Sequence, residues 1–218
     1  MMAEYFLCLD AEMFTERIRP ALAASWRQRS FEPCRSLCVE LLPAARDYAQ
    51  RYHTGDEETL LAQIVRGVPF DRACWRLLVG EVLLFAAVEV PEFPSNAETL
   101  GCLLAPEQHR DETTPRQRFA PIQQILRGSR DVTFGAAVYR PEQAGYNDAG
   151  DVARLAAYLA TVRPEKWTIE QLQNLPDVTD DDERADELDF VREWFPVLVE
   201  LYQRTQARRR VLVIENIY

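Results

Sequence analysis

Apolar residues recur at helical spacing through most of the first half of the chain, whereas the second half mixes helical stripes with short strand-like runs. Residues 5–9 form a compact apolar run that ends at Asp10, which predicts a buried amino-terminal strand followed by a helix that Asp10 caps. Pro20 lies inside that helix and predicts a break or a kink. Apolar stripes at steps of three and four predict further helices near residues 33–52, 57–66, 72–88, 97–105 and 122–127.

The second half alternates strands and helices. Residues 132–139 alternate between larger and smaller side chains, which predicts one strand. Asn147 or Asp148 then caps an amphipathic helix, and a last long helix begins near Asp180. The apolar run at residues 211–214 predicts an interior strand at the carboxyl end.

These elements predict an α+β fold, with one helix-rich domain over residues 1–218 and a small sheet that includes an amino-terminal and a carboxy-terminal strand. The helical half spans about residues 1–120, and the mixed half spans about residues 121–218. A chain of 218 residues with 47% hydrophobic composition is long enough to bury one sizeable core.

A carboxylate interrupts the most apolar predicted helix. Residues 77–90 are apolar on nearly every side of the helix, so Glu81 must be paired, protonated or turned to a rim. A salt link to an arginine is the favoured interpretation of Glu81. The alternative is a carboxylate of a functional site.

Three residues near the predicted strand at 132–139 extend this alternative. Tyr139 ends the strand, Arg140 follows it, and Tyr146 precedes a helix amino terminus. Donors, an aromatic ring and a positive dipole end could hold a ligand there. A capped turn with Tyr146 packed over the helix start is the favoured structural interpretation. If a ligand pocket exists, Glu81, Tyr139, Arg140 and Tyr146 are its predicted residues.

The net charge of −10, from 35 acidic and 25 basic residues, disfavours a general nucleic-acid surface. Much of this charge is local, because residues 177–193 contain nine acidic and two basic side chains. The candidate partner-binding residues in this acidic segment are Asp180, Asp181, Asp182 and Glu183. A helix start favoured by the macrodipole explains most of the segment without a partner.

Catalytic and cofactor motifs are absent from the sequence. It contains no nucleophile elbow, phosphate loop, dinucleotide fingerprint or zinc-hydrolase helix. Cys34 and Cys38 are four residues apart, yet no second Cys/His pair completes a metal site. His53 and His109 lie near carboxylates in segments typical of solvated loops. We therefore expect no metal and no cofactor.

Two further patterns bear on partners and location. Tryptophan stands beside arginine at residues 26–29 and at residues 75–76, a pairing found both at binding surfaces and at core edges. No signal peptide is apparent, and Glu81 and Glu89 interrupt the longest apolar run. We expect a cytoplasmic protein without a membrane segment.

Four segments of the chain carry a resemblance to a known family. They are residues 134–142 (FGAAVYRPE), 151–156 (DVARLA), 198–202 (LVELY) and 211–214 (VLVI). Their order resembles that of the YfbM-like bacterial proteins of unknown function, over roughly 85 residues, and the amino-terminal strand fits the opening of that family. The resemblance implies an α+β fold and a bacterial origin. It implies no activity, so it assigns no catalytic residue.

Three functional hypotheses follow. The first is a protein-binding or regulatory module, supported by the missing catalytic motifs, by the acidic surface and by the arginine and aromatic content. The second is an enzyme or small-ligand-binding protein that uses the pocket predicted above. The third is a toxin-immunity protein, in which an acidic face would neutralise a basic partner. The sequence favours binding of another protein over enzymatic activity and leaves the oligomeric state open.

Overall fold

The structure, a computed structural model, describes residues 3–52, 59–94, 97–105, 119–139 and 144–217. Its described residues fall into two compact units. Unit 1 draws on residues 1–6, 91–131 and 141–218, and unit 2 draws on residues 7–90 and 132–140. The chain therefore passes between the units several times along its length.

The elements of unit 2 are mainly helical. A π-helical segment at Met13–Ile18 leads into α1, and a short 3₁₀ turn at Glu32–Cys34 leads into α2. Strand β1 begins in unit 1 and ends in unit 2, and β3 does the same. The bounds are β1 Ala3–Leu9, α1 Arg19–Gln28, α2 Arg35–Tyr52, α3 Leu60–Val65, α4 Arg72–Ala86, β3 Arg130–Phe134 and β4 Ala137–Tyr139.

Unit 1 combines the larger part of the sheet with the remaining helices. The bounds are β2 Glu92–Pro94, α5 Ala97–Leu104, α6 Pro121–Arg127, β5 Gly145–Asn147, α7 Ala149–Leu159, α8 Asp181–Ala207 and β6 Val211–Ile217. The strand order in this unit is β2-β1-β6-β5-β3. The predicted α+β fold, with an amino-terminal and a carboxy-terminal strand in the sheet, is confirmed.

The predicted helix starts and stops are largely confirmed. Asp10, Asp71, Asp148 and Asp180 each accept a hydrogen bond from a backbone N–H three residues ahead, at 2.8–2.9 Å. At Pro20 the outcome differs from the predicted break. Pro20 lies in the first turn of α1, where its missing N–H is tolerated, and the π-helical segment precedes it.

Two predictions for the strands were wrong. Residues 132–139 form a hairpin rather than one strand, because Gly135 takes a left-handed conformation with φ of 66° and Phe134 pairs with Ala137 across the turn. Residues 145–147, expected as a capped turn, form β5, which pairs with β3 on one side and with β6 on the other. This places Tyr146 in the middle of the sheet.

A buried polar cluster ties β5 to the helices of unit 1. The Asn147 side chain is fully buried, and its Oδ1 accepts hydrogen bonds from Ser129 N at 2.8 Å and Ser129 Oγ at 2.6 Å. Its Nδ2 donates to Gln124 O at 2.9 Å and to the Tyr202 hydroxyl at 3.0 Å. Tyr202 in turn donates to Ile125 O at 2.7 Å. The cluster thus joins α6, β5 and α8.

Gly128 permits the close approach of β5 to the end of α6. Its φ is 81°, and a Cβ atom there would lie 2.3 Å from Tyr146 N. We expect Gly128→Ala to lower the free energy of unfolding by more than about 2 kcal/mol, from backbone strain and overlap with β5. Urea unfolding followed by circular dichroism measures this loss.

Gly101→Ala is the matched control. Gly101 lies inside α5, and a Cβ there would have no heavy atom within 4 Å. This variant should raise the free energy of unfolding by about 1 kcal/mol through helix propensity. Equal effects of the two substitutions would contradict the role given to Gly128.

Candidate functional site

Glu81 holds the first turn of α3. Its Oε1 accepts a hydrogen bond from Leu60 N at 3.1 Å, and its Oε2 accepts one from Leu61 N at 3.0 Å. Both amides belong to the first turn of a helix, where they have no partner within the helix. Within the described part of the chain, Glu81 is therefore paired with backbone amides, and not with the arginine that the sequence favoured.

The other predicted pocket residues lie in different parts of the chain. Tyr139 is buried in β4, and its hydroxyl lies so near α4 that a Cβ on Gly80 would be 2.7 Å from it. Unit 2 thus brings Tyr139 next to the turn of α4 that carries Glu81. Tyr146 is buried in β5 of unit 1. Arg140 lies outside the described residues, as do His53 and His109.

Charged groups at the start of α7 neutralise one another. Arg130 Nε donates to Asp151 Oδ2 at 2.6 Å, and Arg130 Nη2 lies 2.9 Å from Asp148 Oδ2. Burial opposes ionisation of Asp151, but the hydrogen bond and charge of Arg130 outweigh it and hold the pKa of that carboxyl below its ordinary value. Since both carboxylates and the guanidinium are engaged, this end of β3 and α7 is a structural ion pair.

The acidic segment at the start of α8 also has local partners. Asp180 accepts from Glu183 N at 2.8 Å, and Glu183 Oε2 accepts from Thr179 N at 2.7 Å. Asp181 pairs with Arg184 at 2.6 Å. The predicted dipole-favoured helix start is confirmed, with Asp181, Asp182 and Glu183 in the first turn. A role of these carboxylates in partner binding stays a prediction.

The buried cysteines Cys34 and Cys38 remain thiols at neutral pH. Burial raises the pKa of Cys34 to about 11 and that of Cys38 to about 12. Among the residues that the structure describes, no group of three or more His, Cys, Asp or Glu side chains could hold a metal ion. In the same residues, no helix is long and apolar enough to cross a membrane.

Unit 2 carries a cluster in which two exposed arginines contact a half-buried tryptophan. The Arg29 guanidinium carbon lies 4.3 Å from the centre of the Trp26 ring, and that of Arg72 lies 5.6 Å from the same centre. Trp26 packs in turn on Trp75, with ring centres 4.8 Å apart, and on Phe70 at 6.5 Å. One indole is thus contacted by two cationic side chains from two different helices.

Helix ends place these two arginines. Arg29 is the C-cap of α1 and takes a left-handed conformation with φ of 52°. Arg72 is the first residue of α4, whose N-cap Asp71 accepts from Cys74 N at 2.9 Å. The positions of Arg29 and Arg72 at helix ends therefore follow from local sequence signals. The contact between α1 and α4 at Trp26 does not follow from such signals.

The exposed face of α4 extends this cluster. Arg72, Ala73, Arg76 and Leu77 share one side of the helix and are all exposed, and 66% of Leu77 is accessible to solvent. Within the described ranges, Arg29, Arg72 and Arg76 have no ion-pair partner, unlike Arg130. We call Trp26, Arg29, Arg72, Arg76 and Leu77 the arginine–tryptophan surface.

Sequence reasoning found only part of this surface. It noted tryptophan beside arginine at residues 26–29 and 75–76, yet the contacts across α1 and α4 join Trp26 to Arg72. The spacing of three between Trp26 and Arg29 was an available helical signal. No spacing could have indicated Arg72, which is 46 positions away along the chain.

Comparison with known proteins gives a similarity of fold. No protein-family model matches the chain, and no curated protein matches it. Among solved structures, the fold is similar to that of YfbM from Escherichia coli, a protein of unknown function. The two chains are 11% identical over 100% of each, with a TM-score of 0.51. The resemblance to YfbM-like proteins is thus confirmed for the fold, and it brings no activity with it.

We expect Glu81→Ala to lower the free energy of unfolding by about 2 kcal/mol, because it leaves two amides of α3 without an acceptor. Glu81→Gln should cost about half as much, since its single amide oxygen can still accept one bond. Urea unfolding measures both, and hydrogen exchange should show faster exchange of the Leu60 and Leu61 amides.

Glu40→Ala is the control for Glu81. Glu40 pairs with Arg17 at the surface of unit 2, and both side chains are about half exposed. Its loss should change the free energy of unfolding by less than about 1 kcal/mol. If Glu81→Ala has no larger effect than this control, Glu81 does not hold α3.

The ion pair of Asp151 predicts a dependence of stability on pH. Because the folded-state pKa of Asp151 lies below the usual value of about 3.9, its contribution is present above that value and disappears as the pH falls through the folded-state pKa. We expect Asp151→Asn to cost about 1–3 kcal/mol at neutral pH and less below pH ~4.

Unfolding in urea across this pH range measures the difference between Asp151→Asn and the parent protein. Asp182→Asn, an exposed change in the first turn of α8, serves as the control. Its difference from the parent should stay within about 0.5 kcal/mol. A constant cost of Asp151→Asn at every pH would argue against the ion pair.

Proposed function

We propose that this chain is a protein-binding module and that the arginine–tryptophan surface docks an acidic partner protein. One observation carries the proposal: exposed Arg29 and Arg72 lie over the half-buried Trp26, and Arg72 shares the exposed face of α4 with Arg76 and Leu77. None of the three arginines has an ion-pair partner in the described structure. Tryptophan and arginine are the residues most enriched where protein interfaces concentrate their binding free energy.

The chemistry of this face indicates the kind of partner. Leu77 is an exposed apolar side chain suited to burial in a partner's pocket. Arg72 and Arg76 flank it on the same face of α4. A positive surface binds a negative one with faster association, and like charges across an interface are unfavourable. An acidic, partly apolar partner therefore fits best.

The two other hypotheses have less support. An enzyme site built on Glu81 would need its carboxylate free, whereas both oxygens accept backbone hydrogen bonds. A toxin-immunity role would use the acidic start of α8, where Asp180 and Glu183 serve as helix caps. Binding by the arginine–tryptophan surface makes no use of these engaged groups.

The proposal is tested with the full chain in its native host. Crosslinking and affinity purification identify partners, and each complex is then reconstituted from purified proteins. We expect Leu77→Glu to weaken the complex at least about tenfold, because it places a carboxylate where an apolar contact forms and where the partner is acidic. Calorimetry measures the affinity.

Val197→Glu is the matched control. Val197 is an exposed apolar residue of α8 in unit 1, with 43% of its surface accessible. This variant should bind like the parent chain, and thermal unfolding confirms that both variants fold. If Leu77→Glu binds as tightly as Val197→Glu, the arginine–tryptophan surface is not the docking site.

A further inference from the structure

We infer that the Trp26 end of this surface recognises carboxylate side chains of an acidic protein segment, through the guanidinium groups of Arg29 and Arg72. The inference rests on the proposed function and specifies which chemical group of the partner is bound. It concerns a different part of the surface from Leu77, so each can be tested by itself.

Both guanidinium groups contact the Trp26 ring and keep their N–H groups available. Both lie over the Trp26 ring, at 4.3 Å and 5.6 Å from its centre, and Arg29 also lies 5.9 Å from the centre of Phe70. A guanidinium contacts an aromatic ring best through its flat face, and that arrangement leaves the N–H groups at its edge available. Within the described chain, neither arginine side chain donates to an acceptor.

One carboxylate stands beside Arg72 in the sequence. Asp71 precedes Arg72 directly, but its Oδ1 accepts from Cys74 N at 2.9 Å, as the N-cap of α4. The role of Asp71 is thus to close the helix start. With no acceptor among the residues that the structure describes, the two guanidinium edges can accept a ligand from another molecule.

The aromatic ring that the two arginines contact is held rigidly. Trp26 is fixed between the rings of Trp75 and Phe70, and Phe70 contacts the buried Phe31 with ring centres 5.1 Å apart. Arginines that rest on a fixed ring lose less side-chain freedom when a ligand binds. This favours recognition, because ordering long side chains is a main cost of surface ion pairs.

The geometry of the guanidinium groups indicates the class of ligand. A planar guanidinium fork matches the geometry of a carboxylate and can bind it through two parallel hydrogen bonds. Two such forks against one indole are close enough for neighbouring acidic side chains of one segment to reach both. The occupant that fits is a peptide segment with closely spaced Asp or Glu residues.

The experiment uses the full chain labelled with ¹⁵N and a short synthetic Glu-rich peptide as the probe. The Trp26 indole N–H signal is assigned by its absence in Trp26→Phe. We expect this signal to shift on titration with the Glu peptide and to stay in place with the peptide in which Gln replaces each Glu. Equal binding of the Gln peptide would overturn the inference.

Paired variants locate the effect. The double variant Arg29→Gln/Arg72→Gln should bind the Glu peptide at least about tenfold more weakly, whereas Arg46→Gln, an exposed arginine of α2, should bind like the parent. Arg29→Lys/Arg72→Lys retains the charges without the fork and should lie between them. Unchanged affinity in the double Gln variant would overturn the inference, and thermal unfolding checks that each variant folds.

Two further outcomes separate the inference from the proposed function. A partner complex that Leu77→Glu weakens but that the double Gln variant leaves intact would support the docking surface and overturn carboxylate recognition. Peptide binding lost in the double Gln variant, with no partner complex of the native chain, would support carboxylate recognition and overturn the proposed function. Binding of a phosphoserine peptide alone would also overturn the carboxylate assignment.

Discussion

The need to satisfy the buried Asn147 amide organises unit 1. A side-chain amide without partners in an apolar interior costs several kcal/mol, and Asn147 is fully buried in β5. Its oxygen and nitrogen reach Gln124 in α6, Ser129 just after α6, and Tyr202 near the carboxyl end of α8. These bonds fix how β5 meets both helices. The positive φ of Gly128 follows from the same constraint, because only glycine admits the strand so closely.

In unit 2 as well, charged side chains are paired with hydrogen-bonding groups, with an exception at Trp26. Glu81 satisfies two amides of α3, and Arg17 pairs with Glu40 at the surface. Arginine side chains of a folded chain usually meet a carboxylate or a carbonyl in this way. Arg29 and Arg72 contact an indole instead, and within the described residues no acceptor takes their N–H groups. This contrast separates the arginines that stabilise the fold from those available to a ligand.

The sequence predicted what local chemistry determines. The cap at Asp10, the cap at Asn147 or Asp148 and the helix start near Asp180 were correct, because an N-cap bonds to an amide three residues ahead. Prediction from the sequence failed where a hydrogen-bond partner lies far away along the chain or where a strand is short. Strand β5 has three residues and no alternation to detect, and Gly135 turns the chain inside an otherwise regular pattern. The partners of Glu81 lie 20 and 21 positions away, so no spacing rule could connect them.

The two contacts on Trp26 also have a purely structural interpretation, and its magnitude can be compared with that of recognition. An exposed cation–π contact contributes about 0.5–1 kcal/mol, so two of them strengthen the packing of α1 on α4 only modestly. That gain requires a cation over a ring, which lysine also provides. It does not require the fork-shaped edge of arginine, nor a neighbouring apolar side chain that is two-thirds exposed. The packing of α1 on α4 therefore leaves unexplained why Leu77, on the same exposed face of α4 as Arg72, is 66% accessible, and the proposed docking of an acidic partner would use both side chains.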